Sequence, residues 1–320
     1  MIKKTFIVLT MLSVFLLSME GAADAFWLWS PKSKKMVNPK YAAKDSPQEQ
    51  FDWAMRFFEQ GDFKRAAEEF IRLTGNYKDS KLAPEAQYYA GRSYEELGKY
   101  YFAFQNYQKT LDNYPYTRRM EEIIKREYNI ANIFQGKDSP KLMEMELSVS
   151  LDRAVVMYKK IVENSPFGEY ADKSTYKMAE CYRRLRRYDQ AIEAYEKVIK
   201  DYPESDLVSE AKYQLAYTRY EASLDPEYDQ EATEEALREF KNISRTTAVP
   251  AVAEEAEAAL KELRSKKAGN AIKIAEFYER QKKYQSAIIY YKDIVAKYPD
   301  TNEAIKAEEK INLLKTRIGN

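Results

Sequence analysis

The sequence predicts an all-α protein, a solenoid of stacked helix–turn–helix units. Three observations carry this. Segments close on Tyr-Pro at Tyr114-Pro115, Tyr202-Pro203 and Tyr298-Pro299, and counting back from each proline meets the same residue types. An aromatic lies eight earlier (Tyr107, Tyr195, Tyr291), alanine twelve earlier (Ala103, Ala191, Ala287), tyrosine twenty-one earlier (Tyr94, Tyr182, Tyr278), and Gly or Ala twenty-four earlier (Gly91, Ala179, Ala275). Glycine is scarce, 9 of 320 residues, while Ala, Glu, Lys and Leu abound, which suits helices rather than a loop-rich fold. One such unit cannot bury its apolar face alone, so its neighbours must stack on it.

Unit by unit the pattern runs as follows. The first reads Trp53-Ala54, Phe57, a Gly61-Asp62-Phe63 turn, Ala66 and Phe70, with Lys78 in the proline slot. Ser46-Pro47-Gln48-Glu49 before it is a capping box with proline at the first helical position. The second reads Ala90-Gly91, Tyr94, Gly98-Lys99-Tyr100, Ala103, Tyr107 and Pro115. In the third, Ile130-Ala131 and Phe134 precede an insertion holding Gly136 and Ser139-Pro140, then Ala154, Tyr158 and Pro166. The fourth is Met178-Ala179, Tyr182, Tyr188, Ala191, Tyr195 and Pro203. The fifth has Leu215-Ala216, an insertion around Asp225-Pro226, Ala236, Phe240 and a late Pro250. The sixth is Ile274-Ala275, Tyr278, Tyr284, Ala287, Tyr291 and Pro299. Between Pro250 and Tyr284 the turn signal is weak, Gly269-Asn270 alone, so one unusually long or kinked helix is expected from about 252 to 281. Residues from about 302 to 317 are expected to form a polar-faced cap helix.

The small residues let the two helices of a unit approach closely, and the proline ends the second. Large residue, small residue and Tyr on helix A, then Ala, an aromatic and a closing Pro on helix B: this order resembles the tetratricopeptide repeat across roughly 47 to 300. The resemblance implies a right-handed superhelical solenoid of about six repeats, with helix A lining the inner, concave surface.

Helix A carries a second stripe, one residue off its core stripe and so rotated about 100° from it. Its members are Phe51, Met55 and Phe58 in the first unit, and Tyr88, Arg92 and Glu95 in the second. Tyr128, Asn132 and Gln135 follow, then Tyr176, Glu180 and Arg183, then Tyr213, Tyr217 and Tyr220. These aromatics either pack between units or face a peptide groove. Tyrosine suits a groove, being rigid and able to hydrogen-bond at its tip. If Phe51 and Phe58 face the groove, their replacement by Ala weakens peptide binding and leaves stability nearly intact. Arg183-Arg184-Leu185-Arg186-Arg187 either answers a helix C-terminal dipole or captures a peptide carboxylate.

Composition excludes several functions. There is no histidine, which removes the commonest general base and every His-ligated metal site. No catalytic residue, metal or cofactor is expected, and the protein is read as a non-enzyme. Net charge is +1 with acids and bases interspersed, against a nucleic-acid partner. The single cysteine, Cys181, sits among core positions and reads as a buried apolar residue.

Lys3 and Lys4, an apolar run from Phe6 to Leu17, and Ala23-Asp24-Ala25 read as a signal peptide over 1–25, cut before Phe26. Residues 26–46 form an aromatic and basic arm: Phe26-Trp27-Leu28-Trp29, a Ser30-Pro31 turn, Lys32, Lys34, Lys35 and Met36-Val37. A short hairpin is expected there, docking on the first unit or touching a membrane surface. The remaining expected segments are the solenoid, 47–300, and the cap helix, 301–320.

Tyr202-Pro203-Glu204-Ser205 and Tyr298-Pro299-Asp300-Thr301, with Ile274-Ala275-Glu276-Phe277-Tyr278, Lys283-Tyr284 and Ala287-Ile288, resemble the BamD family over about 168 to 317. The resemblance implies a periplasmic scaffold of outer-membrane β-barrel assembly, peripheral on the inner face of the outer membrane. Its implied partners are a BamA-like barrel, contacted by about 251 to 317, and unfolded outer-membrane proteins. A client pocket toward the N-terminal repeats would fall on Phe51, Met55, Phe58, Tyr88 and Arg92. Family members are normally lipoproteins with about five repeats, whereas this sequence has no lipid-anchor cysteine at the cleavage point and six repeats. The rival reading is another exported adaptor serving division, Tol–Pal or peptidoglycan. Such adaptors typically add a coiled coil, and no sustained heptads appear.

Overall fold

The computed structural model describes residues 27–30, 35–38, 42–136, 146–223 and 230–319. The leader and the insertion around Asp225-Pro226 lie outside the described residues, as does Ser139-Pro140. Among the described residues the chain is an all-α repeat solenoid of thirteen helices preceded by one two-stranded hairpin. The hairpin pairs β1 (Leu28–Ser30) antiparallel with β2 (Lys35–Val37), in register Leu28↔Val37, Trp29↔Met36 and Ser30↔Lys35. The helices fall into two compact units, Met1–Ile123 and Ile124–Asn320.

In the first unit, α1 (Pro47–Glu59) and α2 (Phe63–Asn76) make one repeat, α3 (Ala83–Glu96) and α4 (Tyr100–Asn113) the next. Helix α5 (Met120–Gly136) follows, and the boundary between the units, Ile123 to Ile124, falls within it. Each of α1 to α3 packs on its successor. The N-terminus of α1 forms as its sequence dictates: Ser46 accepts the Glu49 backbone N–H at 3.2 Å, and Pro47 occupies the first turn, where no N–H is needed. Asp62 caps α2 likewise, accepting from Arg65 N–H at 3.2 Å.

The second unit holds α6 (Leu147–Asn164), α7 (Ala171–Arg184), α8 (Tyr188–Asp201), α9 (Val208–Ser223), α10 (Gln230–Thr246), α11 (Pro250–Arg280), α12 (Tyr284–Lys297) and α13 (Asn302–Gly319). From α6 onward each helix packs on the next, and α11 also touches α9 and α13. The long helix is continuous for 31 residues. Its first half buries Val252, Ala256 and Leu263 with Phe240, and its second half buries Ala268 and Ala275 with Tyr291. Gly269 does not break it. A Cβ there would meet nothing within 4 Å, so the residue is a tolerated weak point rather than a turn.

Two devices recur. The turn inside a repeat ends helix A with one residue at positive φ: Gly61 (78°), Gly98 (64°), Arg186 (59°) and Lys282 (61°). The next N–H reaches back five residues to a helix A carbonyl: Asp62 to Phe57, Lys99 to Tyr94, Arg187 to Tyr182 and Lys283 to Tyr278, all at 2.9–3.0 Å. This is a Schellman end, and glycine is its unstrained occupant. The second device explains the tyrosine of Tyr-Pro. Tyr77, Tyr114 and Tyr202 donate their hydroxyls to the carbonyls of Lys44, Lys78 and Pro166, at 2.5, 3.2 and 3.2 Å. Each ties the closing turn of its repeat to the chain just before that repeat. Tyr77 does so even though its proline is replaced by Lys78.

Close helix approach is literal at Gly91. A Cβ there would lie 2.5 Å from Tyr107 Cε1, so helix A must present glycine to that ring. Ala179 and Ala275 hold the same place opposite Tyr195 and Tyr291, all four side chains buried.

Candidate functional site

The second stripe of helix A was the sequence's candidate surface, and the structure divides it. In the first unit Phe51, Met55 and Phe58 are half-buried and pack against the core of Phe70, Leu73 and Ala54. Phe51 meets the Phe70 ring edge-on at 5.6 Å, and Phe58 meets Tyr89 at 5.2 Å and Phe63 at 5.3 Å. Arg92 lays its guanidinium 5.8 Å over the Phe58 ring. Its Nη1 donates to the Tyr88 hydroxyl at 3.3 Å. Phe51 and Phe58 therefore neither stand clear of the core nor disappear into it: Tyr89 of the next helix A packs beside them, and part of each ring stays open.

Tyr88, Tyr176 and Tyr220 are also corrected. At 1 %, 6 % and 7 % exposed they cannot present a ring face to a peptide. The rings of Tyr88 and Tyr176 wedge against Tyr107 and Tyr195 of their own helix B, at 5.9 and 5.6 Å. Their hydroxyls donate to a glutamate 34 residues on, on the following helix A: Tyr88 to Glu122, and Tyr176 to Glu210 at 3.4 Å. Arg119 joins the first pair, bonding both Glu85 and Glu122 and covering the Tyr88 ring at 4.8 Å. The Tyr220 hydroxyl accepts from Lys266 Nζ at 3.3 Å. These side chains hold the stack together through paired polar tips, which a buried phenol requires.

Half-buried members of the stripe recur in the second unit. Tyr128 is half-buried with its ring 4.9 Å from Tyr170. On α9, Tyr213 and Tyr217 are half-buried and stack on each other at 6.2 Å, Tyr213 leaning on Phe240 at 5.9 Å. From α7, Arg183 reaches over the Tyr217 ring at 5.4 Å and donates from Nη1 to Glu221 at 3.1 Å. The structure thus brings Arg183, Tyr213 and Tyr217 to one patch, with the buried Tyr220 edge-on to Tyr217. Glu221 already neutralises Arg183, and Glu210, Glu255 and Glu262 lie close enough to act on the two phenols, so the patch is acidic on balance and disfavours a client carboxylate. Burial, with Glu255 adding, pushes the Tyr213 phenol up to about 12, and burial with Glu221 raises that of Tyr217. Both stay protonated at neutral pH and can donate to peptide carbonyls.

Sequence reasoning missed the partners. The helix B tyrosines find acceptors twelve residues back on helix A: Tyr107 on Glu95 at 2.5 Å, Tyr291 on Glu279 at 3.0 Å. In the fourth repeat that place is Arg183, which turns to Glu221 instead. A spacing of twelve between Glu and Tyr was present in the sequence and would have found the two pairs. Among the described residues no His, Cys, Asp or Glu group is arranged to hold a metal ion, and no helix is long and apolar enough to cross a membrane.

Comparison with known proteins agrees with the repeat geometry. Residues 51–116 match the tetratricopeptide repeat family, and residues 145–316 match the YfiO family, described as outer membrane lipoprotein. No curated protein matches the chain. Among solved structures, the C-terminal part of a repeat-containing protein from Cytophaga hutchinsonii is 17 % identical, with 82 % of this chain and 88 % of that one covered and a TM-score of 0.35. A tetratricopeptide repeat protein from Parabacteroides merdae is 15 % identical, covering 84 % and 98 %, with a TM-score of 0.35. MamA from Desulfovibrio magneticus RS-1 is 16 % identical, covering 65 % and 100 %, with a TM-score of 0.32. The YfiO match takes in more than half of the sequence, from just before α6 to the last turn of α13, and on that basis the chain belongs to the YfiO, or BamD, family of tetratricopeptide-repeat proteins.

Proposed function

We propose that the protein is a periplasmic scaffold of outer-membrane β-barrel protein assembly, acting by binding and not by catalysis. The observation that carries this is the match of residues 145–316 to a family of outer-membrane lipoproteins. That segment also contains the patch of Arg183, Tyr213 and Tyr217. The patch offers stacked rings, protonated phenols and a self-neutralised arginine. An extended, uncharged, aromatic-rich segment fits it: rings pack against the open edges of Tyr213 and Tyr217, and backbone carbonyls accept from the phenols. Unfolded outer-membrane barrel strands, alternating apolar and polar residues, have that character. Toward the C-terminus a cleft of about 260 Å³ opens between α11, α12 and α13, lined by Ile272, Glu276, Lys306 and Leu313 among others. It offers a partner such as a BamA-like barrel's periplasmic domains a mixed apolar and charged seat.

The test is photocrosslinking from a benzoylphenylalanine placed at position 217, in cells, followed by mass spectrometry. The expected adducts are unfolded barrel proteins and an outer-membrane barrel with periplasmic repeat domains. Adducts confined to division or peptidoglycan-binding proteins would move the function to the adaptor class and end this reading.

A further inference from the structure

The fourth repeat lacks a pairing that the second and sixth keep. A buried phenol needs a partner for its oxygen. Tyr107 finds Glu95 and Tyr291 finds Glu279, each twelve residues back on helix A. In the third repeat Tyr158 meets Asn132 and Gln135 at 2.7 and 2.8 Å. Twelve residues before Tyr195 stands Arg183. Tyr195 is 0 % exposed, and its hydroxyl has no hydrogen-bond partner. Arg183 lies close enough to act on that hydroxyl, yet its own Nε is also buried and unpartnered, while its Nη1 is bound to Glu221. On α9 a further buried atom, Gln214 Oε1, has no partner. Chemistry orients this amide: Nε2 donates to the Glu210 carboxylate at 2.9 Å, and an ionised carboxylate only accepts. Glu210 joins the three residues, since it also takes the Tyr176 hydroxyl at 3.4 Å and acts on Tyr195. Unpaired buried polar atoms are costly, and three of them on the successive helices α7, α8 and α9 point to a group supplied from outside.

We propose that this place receives the side-chain amide of a client's glutamine or asparagine. The inference rests on the scaffold reading above and names the group that the patch of Arg183, Tyr213 and Tyr217 selects. The three atoms match an amide sense for sense. Its carbonyl accepts from Arg183 Nε and from the Tyr195 hydroxyl, and its NH2 donates to Gln214 Oε1. A carboxylate is disfavoured, because Glu210, Glu221, Glu255 and Glu262 all act on the tyrosines of the patch. An ammonium would meet the Arg183 cation. Arg183 is 25 % exposed although its Nε is buried, so the place lies one side chain's depth from the surface. A glutamine reaches that depth, whereas an extended backbone stays above it.

The experiment measures, by calorimetry, binding of the full protein to three synthetic peptides of alternating tyrosine and threonine. Both ends are blocked without a primary amide, and the peptides differ only at the centre: glutamine, methionine or glutamate. The glutamine peptide is expected to bind about tenfold more tightly than the methionine peptide, and the glutamate peptide more weakly than the glutamine one. Tyr195→Phe removes only the hydroxyl. It should bring the glutamine peptide down to the affinity of the methionine peptide while leaving the thermal midpoint unchanged or raised, since no bond within the fold is lost. Tyr291→Phe, which loses the bond to Glu279, should lower the midpoint. Equal affinities for the glutamine and methionine peptides overturn the inference, and so does a preference that survives Tyr195→Phe. A midpoint loss in Tyr195→Phe as large as in Tyr291→Phe overturns it too, because the hydroxyl would then be satisfied within the fold. Barrel-protein adducts at position 217 together with equal peptide affinities end this inference alone. With neither adducts nor peptide binding, the scaffold reading falls with it.

Discussion

Helix α1 and helix α9 occupy the same place in their repeats and carry the same kind of stripe: Phe51, Met55 and Phe58 on one, Tyr213, Tyr217 and Tyr220 on the other. From sequence they look alike, a run of large side chains one residue off the core. In the structure they part. The α1 stripe is half-buried among rings: Tyr89, whose own ring stacks on Phe70 at 5.5 Å, packs against Phe51 and Phe58. The α9 stripe buries Tyr220 and leaves Tyr213 and Tyr217 half-buried, and what lies over Tyr217 is an ion pair, Arg183 with Glu221. Periodicity places a side chain on a face, but the neighbouring helix A decides whether that face meets rings or an ion pair.

The contrast can be broken first through stability. Phe58→Ala is expected to cost about 2–3 kcal/mol, less than a fully buried ring because Phe58 is only half-buried. Tyr217→Ala should cost under about 1 kcal/mol and should reduce peptide capture instead. Denaturant unfolding of the two variants side by side checks this, and equal losses would erase the distinction between the stripes. Next in size is Gly91→Ala. The added methyl would overlap Tyr107 and is expected to cost about 1–3 kcal/mol. A neutral result would mean that α3 and α4 slide apart freely.

Smaller gains are expected where the fold tolerates a poor local choice. Arg186→Gly and Lys282→Gly each remove a side chain from the left-handed region, where an L-residue costs about 1–2 kcal/mol. The entropy glycine adds to the unfolded chain, about 0.5–1 kcal/mol, offsets part of that, leaving a small rise in the unfolding midpoint. Gly269→Ala should raise it by about 0.5–1 kcal/mol, since the methyl meets open space within a continuous helix. Finally, burial pushes the Cys181 thiol up to about 12 from 9.0, so the folded chain keeps a proton that the unfolded chain releases sooner. That contribution is complete below about pH 9 and is lost as pH rises toward 12. Below that range the native thiol should resist a disulfide reagent and react only with denaturant; rapid native labelling would show α7 opening locally.

Much of this molecule was legible in its residues, for a physical reason. The Tyr-Pro beat, the small residues opposite large rings, the capped start at Ser46 and the unbroken pattern across α11 are local consequences of helix geometry, close approach and a proline's missing N–H. They hold whatever the neighbours do, so a linear reading finds them. The positive φ at Arg186 and Lys282 escaped it, because nothing in those side chains announces a conformation that the tight turn imposes. The site was less legible than the fold. Tyr88, Tyr176 and Tyr220 carry the groove signature and are nonetheless buried, their hydroxyls paired with Glu122, Glu210 and Lys266. A tyrosine is rewarded both at a surface and in a core, provided its oxygen finds a partner. Helical period fixes which way such a residue faces, whereas its partner, drawn from a helix 34 or more residues away in the chain, is supplied only by the packed tertiary structure.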